Sequence, residues 1–341
     1  MQQLICTATD QIKLCDVPVP TVGAGELLIQ MRLCGICGTD LMKIHDDSIG
    51  KPAQIGHEVV GNVAQVGKGV TNFQVGQRVA LTHHVPNYAS HFSRRGSQSM
   101  DPQYQRTTLD PGGFAEYVRL SALHVEQSVV TIPDHIPDER AVFVEPLCCV
   151  LRSLDRVQIT AGDTVAVVGV GAVGMLFLPL LRDRSTTVFA LDVRQERLDL
   201  AQHWGATAGL MSNLPLEEVN TQIKQASQQR GADLVILTVL NRATLTLAMA
   251  TVRPGGTILL FGVKPDTELL VDMWQLWRYE INFVTSYAAT PDSVPKAIAI
   301  LSRPEYKLET LISHRFPLTN AEPGFTLMRQ GEASKVVITN S

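Results

Sequence analysis

Cysteine is scarce in this chain, long apolar runs are missing, and no charge of one sign dominates. Each shortage closes a class of answers. Six cysteines, at positions 6, 15, 34, 37, 148 and 149, are thinly and unevenly spread over 341 residues. Small secreted domains stapled by disulfides use cysteine densely, so reduced thiols and metal ligation fit this pattern better. No uninterrupted apolar stretch approaches the ~20 residues of a membrane-spanning helix. The start, Met1-Gln2-Gln3-Leu4-Ile5-Cys6, lacks the basic and apolar regions of a secretory signal. The expectation is a cytoplasmic protein with no membrane partner. A formal net charge of -4 and a pI of about 6.1 give no electrostatic footprint for nucleic acid. Small molecules are the expected partners. Internal repeats and low-complexity tracts are absent as well.

What remains is a globular composition, 45% hydrophobic and 18% charged, on a chain long enough for two domains. The first 150 or so residues read as strands closed by turns, as in Glu26 to Arg32 and Val59 to Gly67. From about Thr164 the pattern alternates: apolar runs at Val165 to Val168 and Thr187 to Leu191, helical stretches at Ala172 to Arg182 and Gln195 to Trp204. That alternation predicts βαβ units and a parallel sheet. It continues through Leu234 to Leu237, a helix near Arg242 to Val252, a turn at Arg253-Pro254-Gly255-Gly256 and a strand at Thr257 to Phe261. Pro179 should bend or shorten the helix that starts at Ala172.

Two motifs carry chemistry. Gly35-Ile36-Cys37-Gly38-Thr39-Asp40 and Gly56-His57-Glu58 bring a thiolate, an imidazole and a carboxylate into one short segment. Zinc takes sulfur, nitrogen and oxygen donors, and catalytic sites use three protein ligands with one position left for water or substrate. Cys34 and Cys37 also fit a redox pair, or half of a structural zinc site whose other half is missing. The second motif, Gly169-Val170-Gly171-Ala172-Val173-Gly174, follows a strand and opens a helix, with Asp192 eighteen residues beyond the last glycine. That context is a dinucleotide fingerprint: a tight turn, close approach of backbone to pyrophosphate, and an acid for the ribose. Asp192 favours NAD over NADP. Arg194 offers a partner for a 2′-phosphate, but reads more simply as a solvated residue of the next helix.

In order and spacing these motifs resemble the zinc-containing medium-chain alcohol and polyol dehydrogenases, especially the sorbitol and threonine dehydrogenase branch. The resemblance also rests on Val17-Pro18-Val19-Pro20, Gly112-Gly113-Phe114-Ala115-Glu116-Tyr117, Glu145-Pro146-Leu147 and Gly255-Gly256, and so runs along nearly the whole chain. It implies an α/β protein: a GroES-like, mostly-β catalytic zinc domain over 1–150, a doubly wound Rossmann NAD-binding domain over 151–289, and a return to the catalytic domain over 290–341. It implies Cys37, His57, Glu58 and Glu145 as zinc ligands or close neighbours of the zinc. Thr39 would bind the substrate hydroxyl, and Asp40 would support His57 or a backbone group. Val173, Asp192 and Arg197 would contact NAD, with Gly262, Val263 and Ser286 near the nicotinamide. The implied reaction is hydride transfer between a secondary alcohol, a polyol, sugar alcohol or cyclitol, and NAD, in a homo-dimer or homo-tetramer joined at the sheet edge near Thr257 to Val263. The competing readings are a non-catalytic dinucleotide-binding protein and a zinc-free quinone reductase on the same fold.

Two departures from the family pattern stand out. Relatives hold a structural zinc with four cysteines spaced as Asn87, Ser90, Ser93 and Asp101 are here, so one catalytic zinc and no structural zinc are expected. His83, His84 and His91 lie close by without a tetrahedral spacing. Relatives also relay the alcohol proton through a histidine where this chain has Met42, a thioether that cannot carry protons. His45 or a water chain from Thr39 would have to serve.

Overall fold

The computed structural model describes residues 1–340 and divides the chain into two compact units, Met1–Cys149 with the segment from Ala288 onward, and Val150–Tyr287. The boundary falls inside the helix Val144–Leu154.

The first unit is built on a seven-stranded sheet. Its path runs Ile312–Pro317, Lys335–Thr339, Leu27–Gly35, Glu58–Val66, Arg78–Ala80, Val130–Thr131, and Tyr117–Leu120 also pairs with Leu27–Gly35. Apart from the parallel pair Ile312–Pro317 and Lys335–Thr339, its ladders are antiparallel. A smaller sheet joins Gln11–Asp16, Gln2–Ala8 and Ala53–Gln54. The core holds Leu27, Ile29, Met31, Val59, Val63, Val79, Phe114, Val118, Val336 and Ile338. At about 1.5–3 kcal/mol for each fully buried side chain of this kind, such a core fixes the register of the central strands.

That register positions the chemistry. Gly35, the last residue of its strand, pairs with Glu58 on one side and Val337 on the other. Cys37, Glu58 and Lys335 therefore gather where three neighbouring strands end or begin. A Cβ on Gly35 would stand 1.9 Å from Glu58 Oε2 and 2.9 Å from Lys335 Cε, so the glycine leaves the space that the Glu58 and Lys335 side chains fill.

The second unit is a six-stranded parallel sheet in the order Ala208–Met211, Thr187–Asp192, Thr164–Val168, Ala232–Leu237, Val252–Leu260, Asn282–Thr285. Its first strand lies centrally and the order reverses beside it, the switch-point arrangement of doubly wound nucleotide-binding sheets. All of Thr164–Val168 is buried, as parallel strands are when helices cover the sheet. Gly169 follows this strand directly, at the switch point.

The helix Ala172–Arg182 has the expected bounds and is not shortened at Pro179; its run from Gly174 to Leu181 is buried throughout, and packing outweighs the lost hydrogen bond. Two local expectations are revised. The expected turn at Arg253-Pro254-Gly255-Gly256 lies within the strand Val252–Leu260 as a bulge: Ala232 pairs with Val252 but Leu234 with Thr257, and Gly255 has φ 70°. That strand is also paired on both sides, so the edge strands of the sheet are Ala208–Met211 and Asn282–Thr285 rather than the segment near Thr257 to Val263.

Candidate functional site

The run after Gly35 turns into the helix Gly38–His45, with Cys37 at its N-cap. Asp40, in the first turn and fully buried, holds the start of this helix and the neighbouring loop together. Its Oδ2 accepts from Cys37 N at 2.9 Å and its Oδ1 from Gly56 N at 2.8 Å, while Oδ1 also lies 3.4 Å from His57 Nδ1. Gly56 adopts φ 83°, and a Cβ there would stand 2.6 Å from Phe114 N; only glycine brings His57 to this point.

One donor atom each from Cys37, His57 and Glu58 lies within 4.8 Å of the other two. Thr39 Oγ1 is 3.4 Å from His57 Nε2. Burial disfavours a charged His57, yet the Asp40 carboxylate and Cys37 thiolate hold its pKa well above the usual value. An anion-rich pocket that draws a proton onto its imidazole is one that a metal cation can neutralise instead. A proton held on Nδ1 by Asp40 leaves Nε2 as a lone-pair donor, the usual arrangement of a ligating histidine.

Lys335, buried, donates to Glu58 Oε2 and to Ile36 O at 3.2 Å. Burial opposes its charge, but Glu58 raises its pKa. Nothing in sequence spacing could link Lys335 to Glu58; sheet register does.

Glu145, buried in the first turn of Val144–Leu154, faces two further polar groups. Cys149 Sγ donates to its Oε1 at 3.6 Å, and His83 Nδ1 lies 3.4 Å from the same oxygen. The His83 ring also stands 4.5 Å from that of His57 and 4.0 Å from that of His84. His84 packs on Tyr104, its Nδ1 is bonded to Thr107 O, and burial lowers its pKa to about 3. In sequence His83 stands with His84 and His91, apart from the Cys37 and His57 motifs. Its place beside His57 and Glu145 comes from the segment that follows Arg78–Ala80, which no motif marks. Among the described residues, Cys37, His57 and Glu58 are the one group of this kind able to hold a metal. Cys34 lies apart, packed in the core. His45 pairs with Asp10 at the surface.

Asn87, Ser90, Ser93 and Asp101 also converge. Asp101 Oδ1 accepts from Asn87 N at 3.0 Å, Gln103 N at 2.9 Å and Tyr104 N at 3.2 Å, capping the helix Pro102–Arg106. Ser90 caps the helix His91–Arg94 through Ser93 N and bonds Ser93 Oγ at 3.2 Å.

In the second unit, Gly169 has φ 89° and a Cβ there would lie 2.5 Å from Thr238 Oγ1; one on Gly174 would lie 2.0 Å from Gly169 O. Gly171, at the N-cap of Ala172–Arg182, faces open space, and no side chain caps that helix. Val173 lies in its first turn. Asp192 ends its strand buried: Oδ2 accepts from Val170 N at 2.9 Å, Oδ1 from Arg194 N at 3.1 Å, and Arg197 Nη1 lies 3.6 Å away. Arg194 is the N-cap of Gln195–His203 and pairs with Glu196. Gly262 packs against Thr238, Val263 is exposed, and Ser286 Oγ is buried without a hydrogen-bond partner just past Asn282–Thr285.

Known proteins share this fold. The family model of the alcohol dehydrogenase GroES-like domain matches residues 23–134, and that of zinc-binding dehydrogenases matches 172–303. The chain is 28% identical to a sorbitol dehydrogenase of Bacillus subtilis, covering 99% of this chain and 97% of that one. It is 28% identical to an L-threonine 3-dehydrogenase of Proteus mirabilis, covering 96% of each. The structure of alcohol dehydrogenase TADH from Thermus sp. ATN1 superposes with a TM-score of 0.86 at 26% identity over 99% of both chains. The chain belongs to the zinc-containing medium-chain alcohol and polyol dehydrogenases and is an oxidoreductase of that family.

Proposed function

We propose that the protein oxidises a secondary alcohol carrying further hydroxyl groups, a polyol, sugar alcohol or cyclitol, with NAD as hydride acceptor, and catalyses the reverse reduction. The observation that carries this reading is the meeting of Cys37, His57 and Glu58 donor atoms at one point. Thiolate, imidazole and carboxylate in that geometry suit zinc. Cys37 and His57 are the fixed donors, Glu58 is the third, and Glu145 adds its carboxylate directly or through a water. When bound, zinc polarises the alcohol oxygen and lowers its proton affinity, and NAD accepts the hydride.

The chain's own residues prepare that chemistry. Asp40 keeps the Nδ1 proton of His57 in place, so that Nε2 points as a donor. The Thr39 hydroxyl, beside Nε2, accepts a hydrogen bond from the substrate hydroxyl and passes its proton outward, with Met42 taking no part. Lys335 balances the Glu58 charge, which would otherwise be buried alone. In the cofactor unit, the open face at Gly171 and the uncapped helix start suit a pyrophosphate. Asp192 serves the adenosine ribose hydroxyls and repels a 2′-phosphate, Val173 and Arg197 flank it, and Gly262, Val263 and Ser286 serve the nicotinamide end, where the unpartnered Ser286 Oγ offers a hydrogen bond. The edge strand Asn282–Thr285, with Leu270, Trp274 and Trp277 exposed in the same unit, suits pairing with a second copy in a dimer or tetramer.

The quinone-reductase and non-catalytic readings leave the converged donors without a role. The deciding experiment follows NADH formation by zinc-loaded protein across polyols and secondary alcohols. Turnover that needs zinc and prefers NAD to NADP, with Asp192→Ser narrowing the preference by about 10-fold or more through lost ribose hydrogen bonds, is the expected result. Equal use of both cofactors by the unmodified protein would refute the NAD assignment, and turnover independent of zinc would refute the metal assignment.

A further inference from the structure

His83 is a half-buried imidazole, its side chain 14% exposed, that the mechanism above does not use. Its backbone is pinned: His124 Nε2 lies 3.0 Å from His83 O, and the preceding Thr82 donates N–H to Ser128 Oγ at 2.9 Å. Its ring is held between the rings of His57 and His84. Yet Nδ1 is buried with no hydrogen-bond partner; Glu145 Oε1 lies 3.4 Å away but out of alignment. A buried polar atom left unpaired in a rigid setting is paired by something that enters the site. What enters beside His57 and Glu145 is the substrate.

We propose that His83 is a specificity-determining residue whose Nδ1 hydrogen-bonds a second hydroxyl, on the carbon next to the reacting carbinol, so that the site selects vicinal diols over simple secondary alcohols. The inference rests on the dehydrogenase reading and names the substrate feature that reading leaves open. A hydroxyl both donates and accepts, so it pairs with Nδ1 in either tautomer. A mono-alcohol leaves Nδ1 unpaired, and sites built to bond a substrate hydroxyl discriminate strongly against analogues that lack it.

The test compares 2,3-butanediol with 2-butanol, the same carbon skeleton with and without the second hydroxyl. It uses zinc-loaded wild type, His83→Phe, which keeps a planar ring without the nitrogen, and His83→Asn, which restores a polar atom near the Nδ1 position. The ratio of kcat/KM for the diol to that for the mono-alcohol should fall about 5- to 100-fold in His83→Phe, the span for one buried group left unpaired, and recover at least in part in His83→Asn. Calorimetry on variants with wild-type zinc content and thermal midpoint should show the same order in diol dissociation constants. A ratio within about twofold of wild type in His83→Phe, or equal losses on both substrates, overturns the inference; the first is below one lost hydrogen bond. Wild type that oxidises both alcohols without preference also overturns it and leaves the dehydrogenase reading standing. Wild type that oxidises neither overturns the inference, and the dehydrogenase reading falls with it only when the wider polyol panel also gives no NADH.

Discussion

Two loop clusters in the first unit draw polar residues to a point by opposite means. At Cys37, His57, Glu58, Asp40 and Lys335, ionisable side chains crowd into a buried space, where the His57–Asp40 and Lys335–Glu58 pairs offset only part of the charge. At Asn87, Ser90, Ser93 and Asp101, one carboxylate and small neutral groups cap short helices through backbone N–H groups. The first arrangement has donors looking for a cation. The second has its acceptors already satisfied, so its organisation needs no metal. Side chains of similar size thus produce a reactive centre in one place and a scaffold in the other, and the difference lies in whether charge is left uncompensated.

The most severe way to break this contrast is to remove a donor from the first cluster. Cys37→Ser or His57→Ala should abolish zinc retention, and turnover should fall by more than the roughly 10- to 100-fold that losing an outer partner of a ligand entails. Binding of NAD, which the proposed function assigns to the other unit, should persist. Metal analysis should find about one zinc per wild-type chain, because neutral amides and hydroxyls bind zinc poorly. About two tightly held zincs would mean that the second cluster is a metal site after all.

The next effect is on stability. Lys335→Met strands Glu58 as a buried carboxylate, and breaking a buried pair from one side costs about 3–5 kcal/mol. Glu58→Gln in the same chain should return part of that loss, because the uncompensated charge is gone. Urea unfolding of both variants measures it. Equal stability of Lys335→Met and wild type would show that the pair is not what organises the strand ends. Gly35→Ala should act in the same direction, since its Cβ would fall 1.9 Å from Glu58 Oε2.

How much of this could be read from sequence follows the range of each interaction. The fingerprint, its strand, its helix and Asp192 are local in sequence, and the structure places the strand Thr164–Val168 and the helix Ala172–Arg182 where periodicity predicts them. Cys37 and His57-Glu58 were legible because zinc's donor preferences make a thiolate near an imidazole distinctive. Lys335 and His83 were not. Lys335 meets Glu58 across 277 residues through sheet register alone, and His83 carries no motif. The bulge at Arg253 to Gly256 reads in sequence as a plain turn because proline and glycine signal both, and only the pairing of Leu234 with Thr257 separates them.

The smallest expected effect tests the scaffold cluster. Asp101 sits partly out of water, which pushes its carboxyl up, but the N–H groups of Asn87, Gln103 and Tyr104 and the Ser90 hydroxyl hold it below the usual carboxylate value. A carboxyl depressed in the folded state contributes stability that is present above the unfolded Asp value, ~3.9, and fades as pH falls through the lower folded value. Asp101→Ala should cost about 1–2 kcal/mol at neutral pH, as loss of a helix cap does, and should remove part of the acid sensitivity of unfolding. Asp101→Asn keeps an acceptor but no charge, so it should retain some of the stability and lose the same pH dependence. Zinc content should stay at the wild-type value in both. A loss of zinc in either variant would tie the two clusters together and undo the separation between a centre proposed to bind metal and a capping network whose one carboxylate is held by N–H groups.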